Sequence, residues 1–376
     1  MRILILAKFF LKDGASTHIF TLAEEVAKKN DVYIMSAGAA ADKSSKEFFD
    51  KNFPKNEEHC EIKFPNYFNY KFFSKIKQFL TYIIVIPKAL KKIKEINPDV
   101  IHVHYPITSY MAWLANKVYR IPFVTTYHIK GIPNTILHKQ ANISIAISSE
   151  MKEELIERWG YPKESVELVF NGVSENKFTQ KIEDEEKNKL KKKLGINSTD
   201  IIIGFVGTYQ YKKGIDILLK AVAKIKNMNI KLILLGAGEV EWLENIIKEF
   251  KIEDKVIFQK FQDPVIYYSI FDIFVLPSRN EGFPLVALES MMMGCCTIRS
   301  NVSGAYDMIE NKKTGFIFEN ENIEELTEIL INLIKNEDLR KEVALNGKKN
   351  VINKFTEKHM VNKTIAVYEK LISEGK

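Results

Sequence analysis

The sequence predicts an α/β protein built from two doubly wound, Rossmann-like domains. Apolar runs alternate with amphipathic helical stretches, the pattern of a parallel sheet with crossover helices. The alternation halts in a polar stretch and then starts again, and 376 residues exceed one ordinary domain. The expected boundaries are 1–175 for the first domain, 176–199 for a linker and 200–356 for the second. A last helix, about 357–376, can pack on either domain. Two such halves facing each other would make a cleft at the carboxyl ends of their strands, where ligands bind in such sheets.

The elements follow in order. The stretch RILILA (Arg2–Ala7) reads as a buried strand, too short and regular for a signal peptide and without a small-residue cleavage site. Residues Ala15–Asn30 form an amphipathic helix, followed by the strand DVYIMSA. Further strands are expected at Asp99–Tyr105, Pro122–His128 and Ile143–Ser148, and VELVFNGV (Val166–Val173) closes the first half. Ser174–Asp200 is rich in lysine and glutamate and is read as a junction holding a short helix at most. The pattern restarts with Asp200–Gly207, a helix from about Ile215, the strand Ile230–Gly236, and strands near KVIFQKF and DIFVLPS. No internal repeat or low-complexity segment stands out.

Composition narrows the class. With 46% hydrophobic and 27% charged residues, the chain has material for two packed cores and is not disordered. No run of eighteen apolar residues would make a transmembrane helix. The three cysteines, Cys60, Cys295 and Cys296, suit reduced thiols in a cytoplasmic protein and not a disulfide framework or zinc site. The net charge of +7 suits nucleic acid, anionic lipid or phosphorylated small molecules, or reflects a lysine-rich genomic composition. No nucleic-acid motif or interleaved aromatic platform accompanies it.

Five motifs carry chemistry. In LPSRNEGFPLVALESMMMG (Leu276–Gly294), Pro284 suits a first helical turn and Gly294 a left-handed stop. Glu281 then lies in the loop after a strand and Glu289 within the helix, whose free amides form an anion site. Carboxylates in these places would bind hydroxyls of a sugar and a ribose; otherwise Glu281 complements the dipole and Glu289 is solvated. In GFVGTYQYKKGIDILLKA, Lys212 and Lys213 precede Gly214 at a strand-to-helix turn, where a lysine reaches a phosphate or is a plain surface residue. LLGAGEVEWL, with Gly236, is a weak dinucleotide fingerprint and reads better as a tight turn near a base. Asp13 and Gly14 open a helix where amides can meet an anion, or form a plain loop capped by Ser16 or Thr17. His128 closes a strand at its carboxyl end. His102 and His104 alternate along another strand, but no third ligand has suitable spacing, so no metal is assigned.

Together these motifs resemble the retaining glycosyltransferases of the GT-B fold, the large group 1 family of bacterial mannosyl- and glucosyltransferases. The resemblance runs from DGASTHIFTLAEEVAKK through NGVSENKF (Asn171–Phe178) to EGFPLVALESMMMGCC. It implies an N-terminal acceptor-binding domain and a C-terminal domain for a nucleotide-sugar donor, with no cofactor beyond that substrate. Glu281 would contact the transferred sugar, Glu289 the ribose and Lys213 the diphosphate, assisted by amides at Gly282, Phe283 and Leu285 around Pro284. Gly14 would lie near the donor phosphates or the acceptor, and His128 beside the reacting sugar, with Gly207 and Gly236 lining the donor site. Retention would proceed by front-face attack with no protein nucleophile. Where the family carries arginine after the glycine of VG, this chain has Thr208, so Lys212 or Arg279 must stand in or donor binding weakens.

The sequence contains no D-x-D motif, so activity without added divalent metal is expected. A hexose moving from a UDP- or, less favoured, GDP-sugar to a sugar or lipid-linked acceptor in envelope or surface-polysaccharide synthesis is the expected reaction. The alternatives are a GT-B sugar-nucleotide 2-epimerase and a non-catalytic nucleotide-sugar-binding protein on a decayed scaffold. Between Phe68 and Ile96, seven lysines flank an apolar centre. This segment is read either as a peripheral contact with the anionic inner face of the membrane or as a buried helix blurred by Pro87.

Overall fold

The protein is described here from a computed structural model covering residues 1–54, 58–61, 74–104, 106–131 and 138–374. It divides into two compact units, Met1–Phe170 with Glu357–Lys376, and Asn171–Thr356. Residues 176–199, expected as a linker, belong to the second unit, and the C-terminal helix Glu357–Glu374 belongs to the first.

Among the described residues the first unit holds strands β1 (Arg2–Leu6), β2 (Asp31–Ser36), β3 (Glu58–Glu61), β4 (Val100–Val103), β5 (Phe123–Tyr127), β6 (Ile143–Ala146) and β7 (Val166–Leu168). They form one parallel sheet in the order β3-β2-β1-β4-β5-β6-β7. The alternation of side chains along β1 divides the core into two layers. Ile3 and Ile5 face the helix Gly14–Ala27, whose Ile19, Leu22, Ala23 and Val26 make one apolar stripe, together with Tyr368 and Leu371 of the C-terminal helix. Leu4 and Leu6 face Val85, Ala89, Ile93 and Ile96 on the opposite side.

Those last four residues lie on one helix, Ser74–Ile96, which continues through Pro87. A proline inside a helix costs about 3 kcal/mol, and the buried stripe on this half offsets that cost. The C-terminal half of the proposed membrane segment is therefore a core helix, although Ile84 is 60% exposed. Residues 68–73 of that segment, and residue 105 of the expected strand Asp99–Tyr105, lie outside the described residues. No helix among the described residues is long and apolar enough to cross a membrane.

The second unit repeats the plan with β8 (Ile201–Thr208), β9 (Ile230–Ala237), β10 (Val256–Lys260), β11 (Ile273–Leu276), β12 (Cys296–Ser300) and β13 (Phe316–Phe318). Its parallel order is β10-β9-β8-β11-β12-β13. In both sheets the winding direction reverses beside the first strand, between β1 and β4 and between β8 and β11, which is where open α/β sheets take ligands. The polar stretch after Val173 holds more helix than its sequence led us to expect, Glu175–Phe178 and Asp184–Lys193. The second has no buried residue, but Asp184, Glu185 and Glu186 sit in its first turn and Lys191–Lys193 in its last, which matches the helix dipole at both ends.

Candidate active site

At the switch point of the second unit, β8 ends in Gly207 and an exposed Thr208. A short 3-10 turn, Tyr211–Lys213, follows and leads into the helix Ile215–Lys224. Gly214 joins them at φ 66, in the left-handed region. A Cβ there would stand 1.9 Å from the Pro277 carbonyl oxygen, so only glycine lets the lysine turn lie against the end of β11. Gly236 plays a matching part at the end of β9, where a Cβ would meet the Gly207 carbonyl oxygen at 2.0 Å.

The loop after β11 carries the charges. Lys213 Nζ donates to Glu281 Oε1 at 2.6 Å, and Ser278 Oγ donates to the same oxygen at 2.7 Å. Both partners are largely buried, with side chains 19% and 11% exposed, so the pair is held in place and not a loose surface contact. Arg279 has a different fate from the one its sequence position suggested. Its guanidinium donates to both Asp216 oxygens at 2.8 Å, to both Glu321 oxygens at 2.5 and 3.1 Å, and to the Tyr211 carbonyl at 2.7 Å. It also lies 3.8 Å over the Tyr211 ring, and its backbone amide donates to the Lys212 carbonyl. Two carboxylates thus neutralise Arg279, which pins the lysine turn and is no free phosphate cation. Lys212 stays exposed on the same turn.

The helix Leu285–Met292 starts at Pro284, which supplies no side-chain cap, and its first turn holds no acidic residue. The first amides of a helix have no partner within it, and the dipole adds positive potential, so this end is open to an anion. Gly282 and Phe283 lead into it; Asn171 Nδ2 fixes the turn by donating to the Phe283 carbonyl at 2.8 Å. Gly294, at φ 86, ends the segment. Glu289 is partly buried within this helix and accepts from Tyr268 Oη at 2.9 Å. Burial pushes its carboxyl up to about 7, against the Tyr268 hydrogen bond that favours the charged form. Burial, and next the Glu289 charge, push the Tyr268 hydroxyl well above its usual range.

In the first unit the helix Gly14–Ala27 is capped by Asp13, whose carboxylate accepts from the Ser16 amide at 2.8 Å; neither Ser16 nor Thr17 is the cap. Gly14 is exposed with open space where a Cβ would lie. His128 follows β5, and its Nε2 is 3.1 Å from His104 Nδ1. His18, which sequence reasoning passed over, completes a group whose ring nitrogens lie within 4.8 Å of one another. The missing third partner for His104 was thus on another element altogether. A histidine on the buried stripe of an amphipathic helix was the available signal. Burial, with neighbouring histidines adding to it, holds His104 and His128 well below the usual imidazole range. His102 is separate: Tyr368 Oη lies 2.6 Å from its Nδ1 and Thr126 Oγ1 lies 2.7 Å from its Nε2. Asp216, Glu321, Ser278 and Tyr268 were likewise missed, and only Asp216, an acid in a first helical turn, carried a local cue.

Residues 12–177 match the family model described as Glycosyltransferase Family 4, and residues 186–350 match that of Glycosyl transferases group 1. The chain belongs to the group 1 glycosyltransferases. This glycosyltransferase is 28% identical over 327 residues to the capsular polysaccharide biosynthesis glycosyltransferase CapM of Staphylococcus aureus, covering 81% of this chain and 84% of CapM. Its structure is similar to that of a glycosyltransferase from Rickettsia africae, with TM-score 0.83 and 23% identity over 98% of each chain. It is also similar to Anabaena HepE, solved in complex with UDP and glucose, with TM-score 0.81 and 19% identity over 99% of this chain and 100% of that one. These structural likenesses establish the GT-B fold for the group 1 glycosyltransferase.

Proposed function

We propose that this glycosyltransferase moves a hexose, with retention, from a UDP-sugar to a sugar or lipid-linked acceptor in envelope or surface-polysaccharide assembly. The observation that carries the reading is the Lys213–Glu281 pair at 2.6 Å, on the loop that leads into the uncapped start of Leu285–Met292. The donor diphosphate takes over Lys213 from Glu281 and meets the helix amides. Glu281, held by Ser278, is then free to accept from the sugar hydroxyls. Glu289 accepts from the ribose. Charge that develops on the leaving diphosphate meets groups already in place, which lowers the barrier without reorganisation. Gly14 and His128 are the first unit's part in the proposal, for donor and acceptor contacts. UDP rather than GDP is supported by HepE, and the polysaccharide setting by CapM. Because Arg279 is neutralised, Lys212 is the stand-in for the arginine that Thr208 replaces.

The test is to follow a UDP-hexose by nuclear magnetic resonance with a panel of glycan acceptors. Release of UDP with an axial donor linkage retained in the product supports the reading. An inverted product overturns retention, and rearrangement of the donor sugar without acceptor favours epimerisation.

A further inference from the structure

We propose that His18, His104 and His128 form a binding site for a divalent transition-metal ion of the zinc class in the first unit. This goes beyond sugar transfer, and its test reads the ion and not the reaction. The three imidazoles come from three elements at the switch point of the sheet: the helix Gly14–Ala27, the residue after β4 and the residue after β5. One ring nitrogen of each lies within 4.8 Å of the other two. Zinc–nitrogen bonds of about 2.0–2.1 Å in tetrahedral geometry separate the nitrogens by roughly 3.3–3.4 Å. His104 Nδ1 and His128 Nε2, at 3.1 Å, already stand near that separation. The His18 nitrogen needs to move inward by no more than about 1.5 Å, within reach of a small ring rotation.

The donor set decides the class of ion. Three imidazoles without a carboxylate suit zinc, copper or nickel and not magnesium or calcium. Three ligands leave a fourth position for water. His104 and His18 are buried, whereas His128 is partly exposed. All three histidines belong to the first unit, and His128 is shared with the residues proposed above for sugar contacts.

The probe is cobalt(II), whose visible absorption reports tetrahedral coordination, titrated into chelator-treated full-length protein and then displaced by zinc. One equivalent is expected to bind with the tetrahedral spectrum. His18→Gln and His128→Gln should each weaken it by at least roughly 10–100-fold, the loss that outer-shell partners alone can cause, while His59→Gln leaves it unchanged. Metal-free melting of each variant identifies those that fold, and His128→Gln, the most exposed position, serves as the decisive variant if His18→Gln does not fold. Absence of stoichiometric binding in the parent, or full binding in a folded His128→Gln variant, overturns the proposal.

Discussion

Replacing Glu289 with glutamine removes a titration that should govern donor binding near neutral pH. Its carboxyl is raised from 4.5 to about 7, chiefly by burial. In the proposed site a ribose hydroxyl would donate to the carboxylate, and protonation would take that acceptor away, so the donor would bind the ionised form. The apparent dissociation constant then rises as 1 + 10^(pKa − pH), about tenfold between pH 8 and pH 6, or about 1.4 kcal/mol. His104 and His128 stay neutral through this range, so they do not shape the profile. The unliganded protein carries the opposite signature. A raised carboxyl binds its proton more tightly in the folded state, so its stability contribution is complete below pH 4.5 and is lost as pH rises towards 7. At most about 3 kcal/mol is at stake, less because the residue is only partly buried. Calorimetric titration with UDP-glucose at pH 6, 7 and 8 tests the argument, since a diphosphate diester stays ionised throughout. The parent should lose about tenfold towards pH 6, and Glu289→Gln should be flat and more stable than the parent at pH 8. A flat parent profile, or an equal slope in the variant, refutes the assignment.

Other expectations follow from the same geometry. Arg279→Ala strands Asp216, which is 7% exposed, and should cost about 3–5 kcal/mol in urea unfolding; a loss under about 1 kcal/mol would mean the network does not hold the turn. Lys213→Ala should weaken UDP-sugar binding about 10–100-fold, the worth of a charged hydrogen bond. Lys212→Ala should do nearly the same if it replaces the missing arginine, and an unchanged affinity removes it from that role. Transfer should survive a strong chelator, because in the proposed site a lysine and helix amides would meet the donor charge; abolished activity that divalent metal restores would contradict this.

The sequence displayed what is encoded locally. Pro284 and Gly294 bracketed the helix with Glu289 inside, and Lys213–Gly214 marked a turn that only glycine can make. Alternating apolar runs disclosed the parallel sheets, although β3, β12 and β13 went unmarked, each short and without a clear periodic flank. Partners far apart in the chain stayed hidden. Arg279 looked like a free cation because Asp216 and Glu321 reach it only after the sheet is wound. Glu289 looked solvated or ribose-bound, and nothing local pointed to Tyr268. For the same reason no local spacing displayed the grouping in which His18 joins His104 and His128 across three elements. The junction was expected to hold a short helix at most, and Asp184–Lys193 exceeds that because it has no apolar stripe to display and is favoured by charges at its ends.

The central claim is that the second unit holds a nucleotide-sugar through Lys213 and Glu281. A thermal-shift screen of the protein against UDP-, GDP- and ADP-sugars tests it most directly. Donor at about 100 times its dissociation constant stabilises the folded state by about 2.7 kcal/mol, or roughly 5–10 °C for a unit of this size. A shift of that order is expected with UDP-sugars, reduced in both Lys213→Ala and Glu281→Ala. A shift that both variants retain in full, or none with any donor, would contradict it.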